Sequence, residues 1–514
     1  MLWKRLILVL LCCLLGLMLC SCVSTGLPVT DSEPAVTLPP AEVSFVAPIG
    51  DAALEYTREV TLYLPSHDGI SLTAVSGQAV CSPVRPDAES IVRALLSHAG
   101  TNEASSLGGS VRLSLYGTSP VEVSCNIATV NLSASALQLD REKFYVVCQA
   151  IANTLTVLED IEYVNVLVVN KPVGLDIANT LPMGTLSHSN AQDLGAVYNQ
   201  HMSRRVGSSE NAAATPFTAN VTLYFPLSKS EGMVSEVRSM SFENQLTADM
   251  IVSILQEMAS GPKNASIDAP PLPLLADLLT STPVQTSNDS IGGKLISLDF
   301  ASNLDDMLDA YGISRRQSMA SICYTLCTFF PNVSGIQVSI NGTPVDTLLL
   351  SEDETIESAG NILLRSDFSD LLYDYCSLYF STGDSKTLTS SKRPIPYSLC
   401  TNPRRLLHEL SLGPQAGDSS PELLPVMEFS SIADTDLLGL ALNGSTLLVN
   451  FAPSFSSVRQ DMTTEEERLL AYAIVNTLCI DERIKGVCFF ESGNQFEGNP
   501  GGVYWSGLFH PLPE

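Results

Sequence analysis

The sequence predicts an α+β fold made of three repeats. Each repeat is expected to be a two-layer sandwich with the order β-β-α-β-β-α-β, its two helices packed on one face of a small mixed sheet. Three observations support this prediction: a strand motif recurs around Tyr63, Tyr224 and Tyr379, every copy has two helical stretches with an apolar face, and every copy closes on an alternating strand. Two apolar helix faces need an apolar sheet face to cover them, which a two-layer sandwich supplies.

Each repeat opens with an apolar strand, predicted at 60–65, 221–226 and 376–381. A first helix follows, predicted at 90–97, 248–260 and 403–411. In the second copy Ile251, Ile254, Leu255 and Met258 recur at i, i+3, i+4 and i+7, which is the spacing of one buried helix face. In the third copy Asn402 precedes Pro403, which is typical of a helix start.

Further along each repeat, one polar residue interrupts an apolar strand, at Asn131, Asp299 and Asn450. We expect these side chains to face outward or to bond a turn, because an acid that is Asn in two of three copies makes a poor general base. A second helix follows, marked by a Thr-Leu pair in each copy. Its apolar face in the second copy is predicted from Met319, Ile322, Cys323, Leu326 and Phe330. A closing strand comes next, and in the second copy it ends at the tight-turn pair Asn341-Gly342.

These patterns set the predicted boundaries. The repeats span 58–175, 219–347 and 374–494, each within the size that one core can stabilise. Loop-rich linkers occupy 176–218 and 348–373, with short helices expected at 191–202 and 361–372. Residues 495–514 form an aromatic C-terminal tail.

The first 22 residues indicate export and anchoring. Lys4 and Arg5 precede an apolar run at 6–19, which is too short to span a bilayer as a helix and resembles a secretion signal. The run ends in Leu19-Cys20-Ser21-Cys22, which resembles a bacterial lipobox. We expect a signal peptide at 1–21, a lipid on Cys22, and a location on the outer leaflet of the cell membrane. Cleavage before Cys20 is disfavoured by bulky Leu19, and an uncleaved signal anchor is the alternative. Residues 22–57, rich in Pro, Ser and Thr, are expected to be a flexible tether.

Composition excludes one class of partner. The chain has 27 Lys and Arg against 55 Asp and Glu, for a net charge of −28. Phosphate backbones repel so acidic a chain, so nucleic acid is not an expected partner. A hydrophobic content of 45% with 16% charged residues is typical of folded domains rather than disordered chains.

The sequence contains no pattern that predicts catalysis, a cofactor or a metal. None of its six histidines forms a HExxH motif. Ser260 and Lys263 match SxxK, but that serine ends a helix instead of opening one, and no KTG triplet accompanies it. Asp305, Asp306 and Asp309 are better explained as a solvated helix start than as a Ca²⁺ site. We expect most of the nine cysteines that follow Cys22 to be buried apolar fillers, since there is no CxxC and an odd number cannot all pair.

The tail allows two interpretations. Tyr504, Trp505 and Phe509 are the candidate residues for contact with a partner protein. The favoured alternative is that the tail packs on the third repeat, as aromatic chain ends often do when they are ordered.

The second copy most resembles the GerMN domain of sporulation and spore-germination lipoproteins. The resemblance rests on its opening strand, the helix ending at Gly261-Pro262, the strand around Asp299, the helix with Thr325 and the turn at Asn341-Gly342. It implies a non-catalytic module with a fold like the ring-building motifs of secretion-like complexes, and hence self-association through such domains. The expected function is a membrane-anchored lipoprotein that binds or scaffolds other envelope proteins in sporulation or germination. An envelope hydrolase acting on peptidoglycan, or a ligand-capturing lipoprotein of a transport or sensor system, are the alternatives.

Overall fold

The computed structural model describes residues 45–512, apart from 53–54, 83–84, 207–214, 289–291, 350–354, 358–360, 383–386, 416–417, 419–435, 461, 482 and 497–501. Residues 45–514 belong to one compact unit. Within it the three large clusters of buried apolar side chains follow the three repeats, spanning residues 62–173, 217–372 and 376–509. Each repeat therefore has a core of its own.

The first repeat begins at an antiparallel hairpin and continues into a mixed sheet. Its elements in chain order, with the helix that follows it, are β1 (Tyr56–Pro65), β2 (Leu72–Cys81), α1 (Asp87–Ser97), β3 (Val121–Ser124), β4 (Ile127–Leu132), a 3₁₀ helix (Ala134–Gln138), α2 (Arg141–Leu155), β5 (Tyr163–Val168), β6 (Lys171–Pro172), β7 (Leu186–Ser187) and α3 (Leu194–Val206).

The second repeat follows the same plan. Its elements are β8 (Phe217–Pro226), β9 (Met233–Phe242), α4 (Thr247–Met258), β10 (Val284–Asn288), β11 (Gly293–Phe300), α5 (Leu304–Ala310), α6 (Arg315–Phe329), β12 (Val333–Ile340), β13 (Thr343–Pro344), β14 (Thr347–Leu349), β15 (Thr355–Glu357), β16 (Leu363–Leu364) and a 3₁₀ helix (Arg365–Leu371).

The third repeat completes the series. Its elements are β17 (Tyr373–Ser381), β18 (Leu388–Pro396), a 3₁₀ helix (Tyr397–Leu399), α7 (Pro403–Ser411), β19 (Leu437–Asn443), β20 (Thr446–Phe451), α8 (Ser454–Arg459), α9 (Thr464–Cys479), β21 (Gly486–Glu491), β22 (Asn494–Gln495) and β23 (Leu508–Phe509).

The three sheets share one topology. In each, an antiparallel strand pair leads into a parallel pair, namely β4 with β5, β11 with β12, and β20 with β21. Parallel neighbours need a crossover connection, and the long second helix of each repeat supplies it. The predicted α+β fold with three repeats is confirmed.

The opening hairpin of each repeat is not part of its mixed sheet. Strands β1 and β2, β8 and β9, and β17 and β18 each form a separate two-stranded sheet. In the first repeat, Leu62 of the hairpin, Ile151 of α2 and Val164 of β5 share one core. The helices are therefore covered by the hairpin as well as by the mixed sheet, so that each helix buries more than one face.

The repeats extend beyond the boundaries that the sequence predicts. Each sheet gains a strand from the segment after the repeat, since β7 pairs with β5, β16 with β12 and β23 with β21. The predicted linkers 176–218 and 348–373 and the tail 495–514 thus supply equivalent parts. The predicted linker helices are present as α3 and as the 3₁₀ helix Arg365–Leu371.

The predicted tether 22–57 also needs a correction. Residues 45–52 lie against the third repeat, where Gly50 N–H donates to Leu438 O at 2.8 Å. Phe45 and Ala47 pack with Leu448 and Phe490 of that repeat. These apolar side chains and the free edge of β19 explain why this part of the tether is bound.

Candidate functional surfaces

The three polar strand residues bond the turn that follows the closing strand. Asn131 Oδ1 accepts from Asn170 N–H at 2.9 Å, Asp299 Oδ1 from Gly342 N–H at 2.8 Å, and Asn450 Oδ1 from Gly493 N–H at 3.1 Å. Each turn has two consecutive residues with positive φ, as in a type I′ turn. The predicted turn-bonding role is confirmed, and the positions are structural.

Asp299 is held as a carboxylate by its neighbours. The Ser339 and Thr280 hydroxyls and the Gly342 N–H all donate to it, which places the pKa of Asp299 below its ordinary value. A carboxylate so stabilised is a weak proton acceptor at neutral pH. The geometry offers a turn anchor rather than a catalytic base.

The structure separates the C-terminal aromatic residues into two groups. Trp505 is fully buried and Phe509 nearly so, and both belong to the core of the third repeat. The tail therefore packs on that repeat, as the favoured interpretation predicts. For Trp505 and Phe509 the assignment as partner contacts is corrected, because Phe509 lies in β23, which joins the sheet, and the Trp505 ring packs in the core. Tyr504 is 62% exposed and remains a candidate contact.

A buried ion pair packs against Trp505. Its indole Nε1–H donates to Glu467 Oε1 at 2.8 Å, and the same oxygen pairs with Arg459 at 3.1 Å. The guanidinium carbon of Arg459 lies 4.9 Å from the Trp505 ring centroid and 4.5 Å from that of Phe496. Burial lowers the pKa of Arg459 against the pull of Glu467. This group joins the tail to α8 and α9 and is structural.

Two buried arginines were not singled out by the sequence patterns. Arg238 of β9 donates to the Glu257 and Gly261 carbonyls at the end of α4, and Arg393 of β18 donates to the Glu409 and Gly413 carbonyls at the end of α7. Helix C-termini leave carbonyls without partners, so a cation there is favourable. Both arginines stand fourteen positions after the repeat tyrosine, where the first repeat has Gly77.

Carboxylates surround both arginines. Burial raises the pKa of Glu236, but the Asn264 N–H, Arg238 and the Lys263 N–H hold it below its ordinary value. Arg393 is paired to Asp418 at 2.8 Å and to Glu409 at 3.1 Å, with all three side chains buried. These are closed structural networks.

The remaining sequence candidates have structural partners. Ser260 Oγ donates to Glu257 O, and Lys263 Nζ pairs with Glu257 at 2.8 Å, so this SxxK string has no free nucleophile. Asp305 pairs with Arg315, which holds the pKa of Asp305 below its ordinary value. No cluster of three or more His, Cys, Asp or Glu side chains that could hold a metal lies within the described ranges.

The nine cysteines after Cys22 are free thiols, and six of them are buried. Burial raises the pKa of Cys81 and Cys488 to about 11 and that of Cys376 to about 12. Thiols with such pKa values are unreactive at neutral pH. The six buried cysteines act as the apolar fillers that the sequence predicts for most of the nine.

A shallow depression of about 440 Å³ lies on the first repeat. Its lining includes Glu159, Glu162, Thr156 and His188, and His188 Nδ1 is 3.1 Å from Thr156 Oγ1. The depression is wide open to solvent, whereas a site that captures a small ligand encloses most of it.

The three repeats meet at the turn between β3 and β4. Ser235 Oγ of the second repeat donates to Ser124 O at 2.8 Å, and Ser124 Oγ donates to Tyr373 O of the third repeat at 2.6 Å. Cys125 N–H donates to Asp374 Oδ1 at 3.1 Å. We call these five residues the three-repeat junction. Burial raises the pKa of Asp374 to about 6.

The predicted lipid site, Cys22, lies outside the described residues. None of the helices within the described part of the chain is both long enough and apolar enough to cross a bilayer.

Two of the repeats match a known family model. Residues 61–174 and 222–346 match the family model Germane, described as sporulation and spore germination. The third repeat lies outside both matched stretches and has the same element order. No curated protein matches the chain.

Two solved structures are similar to parts of the chain. The tandem GerMN domains of the sporulation protein GerM from Bacillus subtilis match at 15% identity over 57% of this chain and 98% of theirs, with a TM-score of 0.22. A proposed lipoprotein of Clostridium perfringens matches at 16% identity over 26% of this chain and 91% of its own, with a TM-score of 0.17.

Proposed function

We propose that this chain, in which residues 61–174 and 222–346 are GerMN-type domains, is a non-catalytic lipoprotein that binds or scaffolds other envelope proteins in sporulation or germination. The family match in two adjacent repeats is the observation that carries the proposal. The three-repeat junction supports it, because it joins the repeats into one body with fixed spacing between their outer surfaces. A scaffold needs such fixed spacing, and exposed Tyr504 is a candidate contact on its surface.

The proposed anchor is a diacylglycerol on Cys22, which would hold the domains at the outer leaflet of the cell membrane. Its support is the apolar run at 6–19 followed by Leu19-Cys20-Ser21-Cys22. Loss of Lys4 and Arg5 with the signal would make the mature chain more acidic still, so that anionic headgroups repel the folded part. Mass spectrometry of the mature N-terminus tests the anchor. An acylated Cys22 supports it, and an intact Met1 contradicts it.

The decisive experiment for the partner is crosslinking in sporulating cells, with a photoreactive side chain placed at Tyr504. We expect recovery of envelope proteins of the spore or mother cell, or of a second copy of this chain. Exclusive recovery of vegetative transport components would contradict the sporulation role. Release of soluble fragments from peptidoglycan by the purified chain would contradict the non-catalytic role.

A further inference from the structure

The start of the described chain lies along the free edge of the third repeat. Gly50 N–H donates to Leu438 O at 2.8 Å and Ala52 N–H donates to Leu440 O at 2.9 Å, so the two backbones run in the parallel sense beside β19. We call residues 45–52 the docked segment. Edge strands leave backbone groups unpaired, and the docked segment satisfies part of that edge.

A charged contact fixes the end of the docked segment. Asp51 receives two hydrogen bonds from Arg404, at 2.8 and 2.7 Å, and a third from the Leu440 N–H at 3.1 Å. Arg404 also donates to Leu437 O at 3.0 Å. A bidentate ion pair of this kind fixes the orientation of both side chains in addition to neutralising their charges.

The third repeat differs from the others on the sheet face away from its helices. This back face, at positions aligned by the strand registers, is Leu448, Cys488 and Phe490 in the third repeat. The same positions are Ser297, Gln337 and Ser339 in the second repeat, and Thr129, Asn165 and Leu167 in the first. Phe45 and Ala47 of the docked segment pack on the apolar version. The repeat with an apolar back face is thus the one that the docked segment covers.

Two further residues fit the backbone of the segment. A Cβ at Gly439 would lie 2.6 Å from both Pro48 O and Gly50 O, so a larger residue cannot stand there while the segment is bound. Asn450 Nδ2 donates to Pro48 O at 2.8 Å while its Oδ1 bonds the turn. Asp299, its counterpart in the second repeat, bonds the same turn but has no amide to donate.

We infer that the back face and outer edge of the third repeat form a binding site for residues 45–52 of the same chain. A second part of the inference rests on the proposed lipid at Cys22. With that anchor, the docked segment would hold the third repeat nearest the membrane. The proposed tether would then be 23–44, which would reach about 70 Å at full extension instead of about 110 Å for 23–57.

Hydrogen exchange on the chain from residue 22 onward tests the binding site without a membrane. We expect the Gly50 and Ala52 amides to exchange at least tenfold more slowly than in an unstructured chain. The double variant Phe45→Ser, Asp51→Ala should remove that protection. Val46→Ser is the matched control, since Val46 is 83% exposed beside Phe45. Gly439→Val tests the same contact from the repeat side. The inference is overturned if both amides exchange at unstructured rates in the unaltered chain, or if Phe45→Ser and Val46→Ser behave alike.

Vesicles test the orientation and separate it from the anchor. The acylated chain is bound to phosphatidylcholine vesicles that carry acceptor dyes on the headgroups, with a donor dye at exposed Ser445 or at exposed Leu137. We expect at least twofold more transfer from Ser445, and a smaller difference with Phe45→Ser. Failure to float with vesicles contradicts the lipid anchor. Binding with equal transfer from both dyes, unchanged by Phe45→Ser, overturns the orientation and leaves the anchor standing.

Discussion

The backbone N–H of Tyr224 donates a hydrogen bond of 3.1 Å to Thr325 Oγ1, across 101 residues of chain. The same bond joins Tyr63 to Thr154 at 2.9 Å and Tyr379 to Thr477 at 3.1 Å. The residues that mark the repeat in the sequence are therefore in contact in every copy. They tie the opening hairpin to the crossover helix, two elements that belong to different layers.

Replacing Thr325 by valine should destabilise the second repeat. Valine keeps the shape of threonine but leaves the buried Tyr224 N–H without an acceptor, which costs about 1–3 kcal/mol. Tyr224 is 2% exposed, so water cannot replace the bond. Urea denaturation of the two chains measures the difference. Thr343→Val, at an exposed strand position, is the control, and an equal loss of stability in both variants would contradict the role of the bond.

The sequence predicts the repeat and most of its elements because their signals are local. A helix face such as Met319, Ile322 and Leu326 is visible as a period, and all three side chains are fully buried. The Asn341-Gly342 pair predicts its turn because both residues adopt positive φ. The Asn402 side chain accepts from the Arg404 and Arg405 N–H groups, as the Asn-Pro pattern indicates.

Other features depend on distant parts of the chain and carry no local signal. A two-residue strand such as β16 has no period, so the sequence cannot distinguish it from a linker. The docked segment is composed like a tether, and its place depends on a face formed about 400 residues later. Arg238 and Arg393 did have a signal, their equal distance from the repeat tyrosine, but charged residues are most often exposed.

Removal of the Arg393 side chain should be among the most damaging single changes in the third repeat. In Arg393→Met, Asp418 would stay buried without its cation, Glu409 would keep only Arg405, and the C-terminal end of α7 would lose two bonds. Breaking a buried ion pair in this way costs about 3–5 kcal/mol. Thermal unfolding measures it.

Arg238→Met should cost less, because Glu257 is partly exposed and keeps Lys263 as a partner. Arg468→Ala removes an exposed pair and should change stability by less than about 1 kcal/mol. The stabilising role proposed for Arg393 would be wrong if Arg393→Met lowered the stability no more than Arg468→Ala.

The three-repeat junction should respond to pH through Asp374. Burial raises its pKa from an ordinary 3.8 to about 6, with Asp160 adding to the rise and Lys392 and the Cys125 and Tyr375 N–H groups opposing it. A folded-state pKa above the unfolded one means that the stabilising contribution is present below about pH 4 and is lost as pH rises through about 6. Asp374→Asn keeps an acceptor for the Cys125 N–H and has no charge to bury.

We therefore expect the stability advantage of Asp374→Asn over the unaltered chain to grow by about 2 kcal/mol between pH 4.5 and pH 7.5. Denaturation curves at a series of pH values measure the difference between the two chains, which removes the contribution of other groups. Asp306→Asn, at an exposed position on α5, is the control variant. A constant difference for Asp374→Asn across the range would refute the assignment.

Trp505 gives a direct measurement of the tail. It is the only tryptophan after residue 21, and it is fully buried, so its emission should be blue-shifted and resistant to iodide. Trp505→Phe removes the bond to Glu467 Oε1 and leaves that oxygen with Arg459 alone. The lost hydrogen bond to a buried carboxylate and the smaller ring together should cost about 2–4 kcal/mol. Tyr504→Ser, next to it but exposed, should leave stability unchanged.

Because β23 pairs with the closing strand β21, loss of Trp505 should also raise hydrogen exchange at Val487 and Cys488. A red-shifted, freely quenched Trp505 in the unaltered chain would show instead that the tail is undocked and that the third sheet has one strand fewer than the other two.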